Sequence, residues 1–342
     1  MVSDFWIVFQ WWGALFLVGA AAYPLTRKLF HDWFDSGYLF SKAVGMAAVT
    51  YLVYLGGVLH IIPFTQGAVW GAAGLLFFLG VLLHKGEKKE KIHPSIFLAE
   101  EIFFLAALLF WSWVKGHEPS IHNLEKFMDF GFTKSILDSR FFPAPDMWYA
   151  GGTINYYYFG HTVMAVLTRV SGIDLTYTFN LMLAAIFAFT CTMSFSIGVQ
   201  LLRIRKGMGK IGQIGGGLLT AFLVTLAGNM QTIYAFTQGY DGENVQPFWK
   251  LLWPIGEFIS RLPDGLNRYW YANATRFIPY TIHEFPSYSF VVSDVHGHVL
   301  SIPFVLLALG LLIAVFGTDR TNKNSQFVIR NSFSMDFCAA YF

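Results

Sequence analysis

Three stretches of the chain bring together residue types that can do chemistry. The first, LEKFMDFGFTKSIL, contains Glu125 and Asp129. Residues four apart share a helical face. Two carboxylates there can act as a general base or hold a divalent cation through oxygen. The same spacing fits a solvated acidic pair flanking Lys126, and spacing alone favours that plainer reading. The second stretch is FFPAPDMWYAGGTINYYYFGH, residues 141–161. Pro143 and Pro145 stiffen it, and Gly151 and Gly152 allow a tight turn or the close approach of a ligand. Tyr156, Tyr157 and Tyr158 suit an aromatic belt at a membrane surface. Three consecutive side chains point in different directions on a helix, however, so at least one must face protein or ligand.

The third stretch, residues 270–304, is WYANATRFIPYTIHEFPSYSFVVSDVHGHVLSIPF. Asp294, His296 and His298 alternate, so an extended backbone puts them on one face. One carboxylate and two imidazoles make a reasonable metal set, to which His283 and Glu284 can add. The histidines can equally bind a phosphate or serve a hydrogen-bonded structural role. Arg268 and Arg276 are close in sequence and suit bidentate phosphate contacts. Two other motifs carry little weight. Gly207-x-Gly209-x-x-Gly212 spells a dinucleotide fingerprint with no strand before it. Asn273-Ala274-Thr275 is a short glycosylation acceptor pattern.

The elements that must position these residues are apolar. Of 342 residues, 55% are hydrophobic and only 13% charged, about half the charged share of a typical soluble domain. Aromatic residues reach 18%, and the net charge of +2 gives no reason to expect nucleic acid as a partner. Cys191 and Cys338 are too far apart in sequence and context to suggest a structural disulfide. A membrane-spanning helix needs about 20 mainly apolar residues. Segments 5–25, 43–62, 66–83, 95–114, 176–202, 212–232 and 298–317 meet that condition. The expected fold is therefore an all-α, polytopic transmembrane helical bundle of about seven spans.

Orientation follows from Lys and Arg, which favour cytoplasmic loops. With the N-terminus outside, four short inner loops collect Arg27, Lys28 and Lys42; Lys85, Lys88, Lys89 and Lys91; Arg203, Arg205, Lys206 and Lys210; and Arg320, Lys323 and Arg330. An eighth span at 156–169 would put the Arg203–Lys210 cluster outside, so that segment is expected as a helix lying on the outer face. Two long external loops remain, 115–175 and 233–297, both rich in aromatic residues and so expected to be structured. Residues 247–262 carry the periodicity of an interfacial helix. The span middles read as nearly free of charge, and at least one of Glu100 and Glu101 as an acid snorkelling to the inner boundary. The N-terminal segment is 1–94, the second unit 95–317. Residues 318–342 form a cytoplasmic tail resembling no span, the pattern of a chain cut short.

EKFMDFGFTKSIL, FPAPDMWYAGGTINYYYFG and TRFIPYTIHEFPSYSFVVSDVHGHVLSIPF resemble the uncharacterised YYY membrane-protein family, named for its tyrosine triplet. The resemblance covers about residues 95–317. That family is in turn similar in layout to the GT-C glycosyltransferases, which take a sugar from a polyprenyl-phosphate carrier in the membrane. The resemblance implies that Asp129 is the first-loop acid serving as base or acceptor-orienting group, with Glu125 second choice. It implies that Arg268, Arg276, His296 or His298 hold the phosphate, with or without a divalent metal such as Mg or Mn. The tyrosine triplet falls where related transferases begin their interfacial helix. The alternatives are a lipid-handling transporter and a non-catalytic membrane assembly subunit.

Overall fold

The computed structural model describes residues 2–84, 92–205, 207–240, 244–276, 278 and 280–317. Lys85, Lys88, Lys89, Lys91, Lys206, Arg320, Lys323, Arg330 and the whole segment 318–342 lie outside the described residues. The described chain is helical, with no strand; one isolated bridge pairs Pro145 with Thr153. Its helices are α1 (Val2–Leu29), α2 (Tyr38–Val58), α3 (Gln66–His84), α4 (Pro94–Gly116), α5 (Lys126–Asp138), α6 (Phe159–Ser171), α7 (Leu175–Arg205), α8 (Lys210–Thr225), α9 (Phe258–Arg268), α10 (Pro286–Val292) and α11 (Gly297–Phe316). Among the described residues six helices are long and apolar enough to cross a membrane: α1, α2, α3, α4, α7 and α11. The chain is an all-α polytopic membrane protein, as its apolar runs require.

Helix α7 is the central pillar, buried along nearly its whole length between α4, α8 and α11. The outer helices expose apolar side chains, such as Phe77, Phe78, Leu82 and Leu83 on α3. That is the surface expected against lipid. The segment 212–232 yields a shorter helix than its hydropathy suggests. Helix α8 has 16 residues, about 24 Å at 1.5 Å per residue, and stops before Gly228 and Asn229, which favour turns. It lies close along α7, where a Cβ on Gly198 would meet Thr220 and Gly217 of α8. Small residues permit this approach between membrane helices.

Two other expectations change. The segment 156–169 becomes α6, which at 13 residues is indeed too short to span. Yet it is not a helix lying exposed on the surface. It is buried on almost every side, wedged among α1, α2, α3, α5, α7 and α11. Its polar residues find partners there: Thr168 shares a 2.8 Å hydrogen bond with Thr178, and His161 bonds Asp129. The proposed interfacial helix at 247–262 is broken. Only a 3-10 turn forms at Phe248–Lys250, and helix α9 starts at Phe258. Pro254 and Gly256 interrupt the run between them.

The two ends of the bundle are chemically distinct. At one end, Gln200 near the end of α7 holds the α1–α2 turn through Phe34 N and Asp32 O, and Lys28 reaches Leu83 O at the end of α3. Charge is buried here, contrary to the reading of charge-free spans. Lys42 is only 2% exposed and lies 2.6 Å from Glu101, which also accepts hydrogen bonds from Tyr38 Oη and Trp12 Nε1, both at 2.7 Å. Neither acid snorkels: three donors offset the loss of water at Glu101, and both oxygens of Glu100 are buried as well. Lys42 belongs to the second turn of α2, not to a loop. At the opposite end, Phe142 packs on Gly57 of α2, and Asn180 near the start of α7 bonds Pro119 O beyond α4. The chemistry-bearing stretches gather at this second end.

Candidate functional site

Helix α5 brings in the first carboxylates. Asn123 and Leu124 both adopt left-handed backbone, with φ of 71° and 52°, and turn the chain into Glu125 at its N-terminus. One turn on, Asp129 is completely buried. The plainer reading of Glu125 and Asp129 as a solvated pair thus fails for Asp129, while Glu125 remains exposed at 55% of its side chain. Helix α6 supplies His161, also completely buried, whose Nε2–H donates to Asp129 Oδ1 at 2.8 Å. Burial pushes the His161 imidazole down to about 4, so it is neutral near pH 7 and a single-proton donor here.

The third stretch arrives from the other side. Pro286 opens α10, and Ser293, left-handed at φ 59°, ends it. The chain then extends through Asp294, Val295 and His296 before α11 begins at Gly297. Asp294 and His296 share a face, as the alternation predicts, and Val295 is buried on the other. His298 departs from the alternation because it already sits in α11. It pairs instead with Glu284, Nε2 to Oε2 at 3.0 Å, and Ser289 donates to the same carboxylate. Glu284 is held below the usual carboxylate range, first by the His298 hydrogen bond.

One ligand atom each from Asp129, Asp294 and His296 lies within 4.8 Å of the others. His296 Nδ1 is 3.9 Å from Asp129 Oδ2 and 2.8 Å from Glu125 Oε2. Tyr156 Oη meets the other imidazole nitrogen, Nε2, at 3.1 Å. Asp129 Oδ2, Asp294 Oδ1 and His296 Nδ1 are all buried without a well-formed hydrogen bond. Buried polar atoms are rarely left so. Asp129 and Asp294 are each pushed up to about 7, first by burial, and for Asp294 next by the Asp129 charge. Two adjacent buried carboxyls cannot both ionise freely, so near neutral pH they keep a proton or need a cation between them. The donors fit a hard divalent ion such as Mg or Mn: two carboxylates and an imidazole. His161 fixes one ligand from behind, as an outer hydrogen-bond partner does in many metal sites.

The tyrosine triplet divides as its adjacency requires. Tyr156 faces the cluster, Tyr158 Oη bonds Tyr54 Oη at 2.8 Å, and Tyr157 is largely exposed, its ring 4.1 Å from that of Tyr156. The triplet precedes α6 rather than forming part of it. A Cβ at residue 297 would come within 2.6 Å of the Tyr157 ring, so Gly297 lets the start of α11 approach the triplet. Arg268 and Arg276 are not brought to the cluster by any hydrogen bond or ion pair among the described residues. Arg268 donates to Thr237 O, and Arg276 donates to Ala272 O and lies over the Trp270 ring. His283 holds the loop through its backbone N–H to Thr275 O at 3.1 Å.

Sequence reasoning missed His161 and Lys126. His161 closes the tyrosine block, and the only hint was a polar residue at the start of an apolar helix. Lys126 read as part of a solvated face, but it is only 7% exposed.

A multi-pass helical membrane protein with a buried acid–imidazole cluster at one end of its bundle is the class that fold and site define. The chain belongs to the family described as Uncharacterized membrane protein (DUF2298), which matches residues 48–341. The match extends beyond the motif blocks at both ends and runs into the C-terminal segment. No curated protein and no solved structure matches the chain.

Proposed function

We propose that this protein is a membrane glycosyltransferase, moving a sugar from a polyprenyl-phosphate donor to an acceptor at the outer membrane face. The observation that carries the reading is Asp129: fully buried, one oxygen held by His161, the other turned without a partner toward Asp294 and His296. A structural carboxylate would have both oxygens satisfied. This one is oriented by His161 and set beside a second carboxyl, Asp294, so that a proton or a cation must lie between them. The charge rule puts the Arg203–Lys210 end inside, and hence the cluster outside.

Asp129, Asp294 and His296 would hold a divalent cation, which when bound supplies positive charge for the departing lipid phosphate. Asp129 orients or deprotonates the acceptor hydroxyl or amide, and His161 keeps its carboxylate in one rotamer. Glu125 and Tyr156 fix the His296 ring from its two nitrogens. Charge develops on the leaving phosphate, so fixed cations near it favour the transition state. The test is sugar release by the purified protein from a panel of polyprenyl-phosphate sugars, beside Asp129→Asn and with a chelator. Turnover lost in the variant supports the reading. A folded protein that turns over no donor sinks it in favour of a binding subunit. A transporter is less well supported, because the buried Lys42–Glu101 charges lie in the second turn of α2 and the third of α4, and are already paired with each other.

A further inference from the structure

We propose that Glu125 is the solvent-side ligand of the ion held by Asp129, Asp294 and His296, and that the completed set selects a transition-metal dication, Mn(II) or Zn(II), over Mg(II) and Ca(II). The inference deepens the reading of this cluster as a cation site, on which it rests. It does not depend on the reaction being sugar transfer.

Three ligand atoms have already converged. Asp129 is 0% exposed and Asp294 9%. Asp129 Oδ2, Asp294 Oδ1 and His296 Nδ1 are buried without a well-formed hydrogen bond, and one ligand atom from each residue lies within 4.8 Å of the others. Glu125 adds a fourth. Its Oε2 is 2.8 Å from His296 Nδ1, yet the two are not aligned for a hydrogen bond, since Nδ1 still lacks one. Atoms bonded at about 2.1 Å to a common ion stand roughly 3–4 Å apart. The 2.8 Å between Nδ1 and Glu125 and the 3.9 Å between Nδ1 and Asp129 Oδ2 lie close to that range. Small side-chain movements would close the set on an ion.

The four members have different tasks. His161 holds Asp129 from behind at 2.8 Å, and Tyr156 Oη meets His296 Nε2 at 3.1 Å. With Nε2–H donating to Tyr156, the Nδ1 lone pair is left for the ion, the usual work of an outer partner. Glu125 is the exposed member, at 55% of its side chain, and it makes no side-chain capping bond to α5. It can therefore turn onto an ion arriving from solvent. His298 and Glu284 stay outside the set because they pair with each other at 3.0 Å. Mg(II) and Ca(II) take oxygen ligands. An imidazole nitrogen among the donors favours transition metals, whose affinity for mixed nitrogen and oxygen sites is higher.

The experiment uses the full chain in detergent, stripped with a chelator that is then removed. Mn(II) is titrated in, the free ion being read by its electron paramagnetic resonance signal, with Zn(II), Mg(II) and Ca(II) as competitors. Wild type should bind one Mn(II), displaced readily by Zn(II) and by Mg(II) or Ca(II) only at about tenfold excess or more. Glu125→Gln should lower Mn(II) affinity at least about tenfold, the cost of losing even an outer partner. At saturating Mn(II) it should also raise water proton relaxation, because water takes the vacated position. Spin-echo modulation from a directly bound nitrogen should appear in wild type and Glu125→Gln and vanish in His296→Asn. Unchanged affinity in Glu125→Gln, or lower affinity with unchanged water relaxation, overturns the ligand assignment. Mg(II) competing on equal terms overturns the selectivity. A wild type that binds no dication overturns the cation reading together with this inference. Mn(II) binding that depends on Glu125, in a protein that releases no sugar, leaves the inference standing and removes the transferase.

Discussion

Removing the Asp129–Asp294 carboxyl pair should flatten the protein's stability against pH. Both groups are raised from 3.8 to about 7, with burial the largest cause. A raised carboxyl favours the folded state at low pH, where it is protonated in both states. That contribution is lost as pH rises from the unfolded value through about 7. For one shared proton, about three units at 1.36 kcal/mol each gives roughly 4 kcal/mol across the full range. Between pH 5 and 8 the loss is roughly 2–3 kcal/mol. For a chain of 342 residues that is a fall in melting temperature of about 3–4 °C. The assay is thermal unfolding in detergent with a chelator present, using wild type, Asp129→Asn and Asp129→Asn/Asp294→Asn. The amide oxygen introduced by Asp129→Asn can still accept the His161 N–H, so the fold is not otherwise disturbed. The single variant should lose about half of the slope and the double variant nearly all of it. Saturating Mn(II) should also abolish the slope in wild type, because the ion replaces the proton. A metal-free wild type whose melting temperature is flat from pH 5 to 8, or falls no more than that of the double variant, would refute the reasoning.

Other outcomes are as specific. His161→Phe should lower Mn(II) affinity by about 10–100-fold, the usual effect of losing an outer partner, as read by calorimetry; unchanged affinity would remove His161 from the site. Lys42→Met should destabilise by about 3–5 kcal/mol, because it strands the Glu101 carboxylate, and Lys42→Met/Glu101→Leu should recover much of that in a melting assay. Arg268→Gln and Arg276→Gln should leave the affinity for a polyprenyl phosphate within about twofold of wild type, since both guanidinium groups bond locally.

Hydropathy made the membrane helices legible, because about 20 apolar residues in water-free surroundings have one economical backbone solution. The charge rule correctly separated α6 from the spans. It could not say that α6 is buried, because that depends on six helices meeting around it. Asp129 and Asp294 were each visible as candidates, but their meeting joins two segments separated by nearly half the chain. Alternation found the Asp294–His296 face, then failed for His298 one residue after the backbone turned helical at Gly297. Lys42 was misread because a lysine near a helix end normally reaches water, and only Tyr38, Trp12 and Glu101 together keep it inside. His161 carried almost no sequence signal: a single histidine at the head of an apolar helix is commonplace until its partner is known.

The two buried charge clusters are satisfied in different ways. At one end, Glu101 has three donors and Lys42 has its counter-charge, which ties α1, α2 and α4 together, while both oxygens of the neighbouring Glu100 are buried without a well-formed hydrogen bond. At the other, Asp129 keeps one oxygen bonded to His161, and its second oxygen and one oxygen of Asp294 have no well-formed hydrogen bond. Apolar residues of similar volume would give a more stable fold at the second end. The incomplete cluster is therefore costly as structure, a cost that the proposed binding role would account for. Its rigidity fits that role. Asp129 is fixed by a buried histidine on a buried helix, and Asp294 by a left-handed turn and the start of a membrane span. Groups held this firmly lose little freedom when a ligand arrives, so most of the interaction energy is available to the bound state.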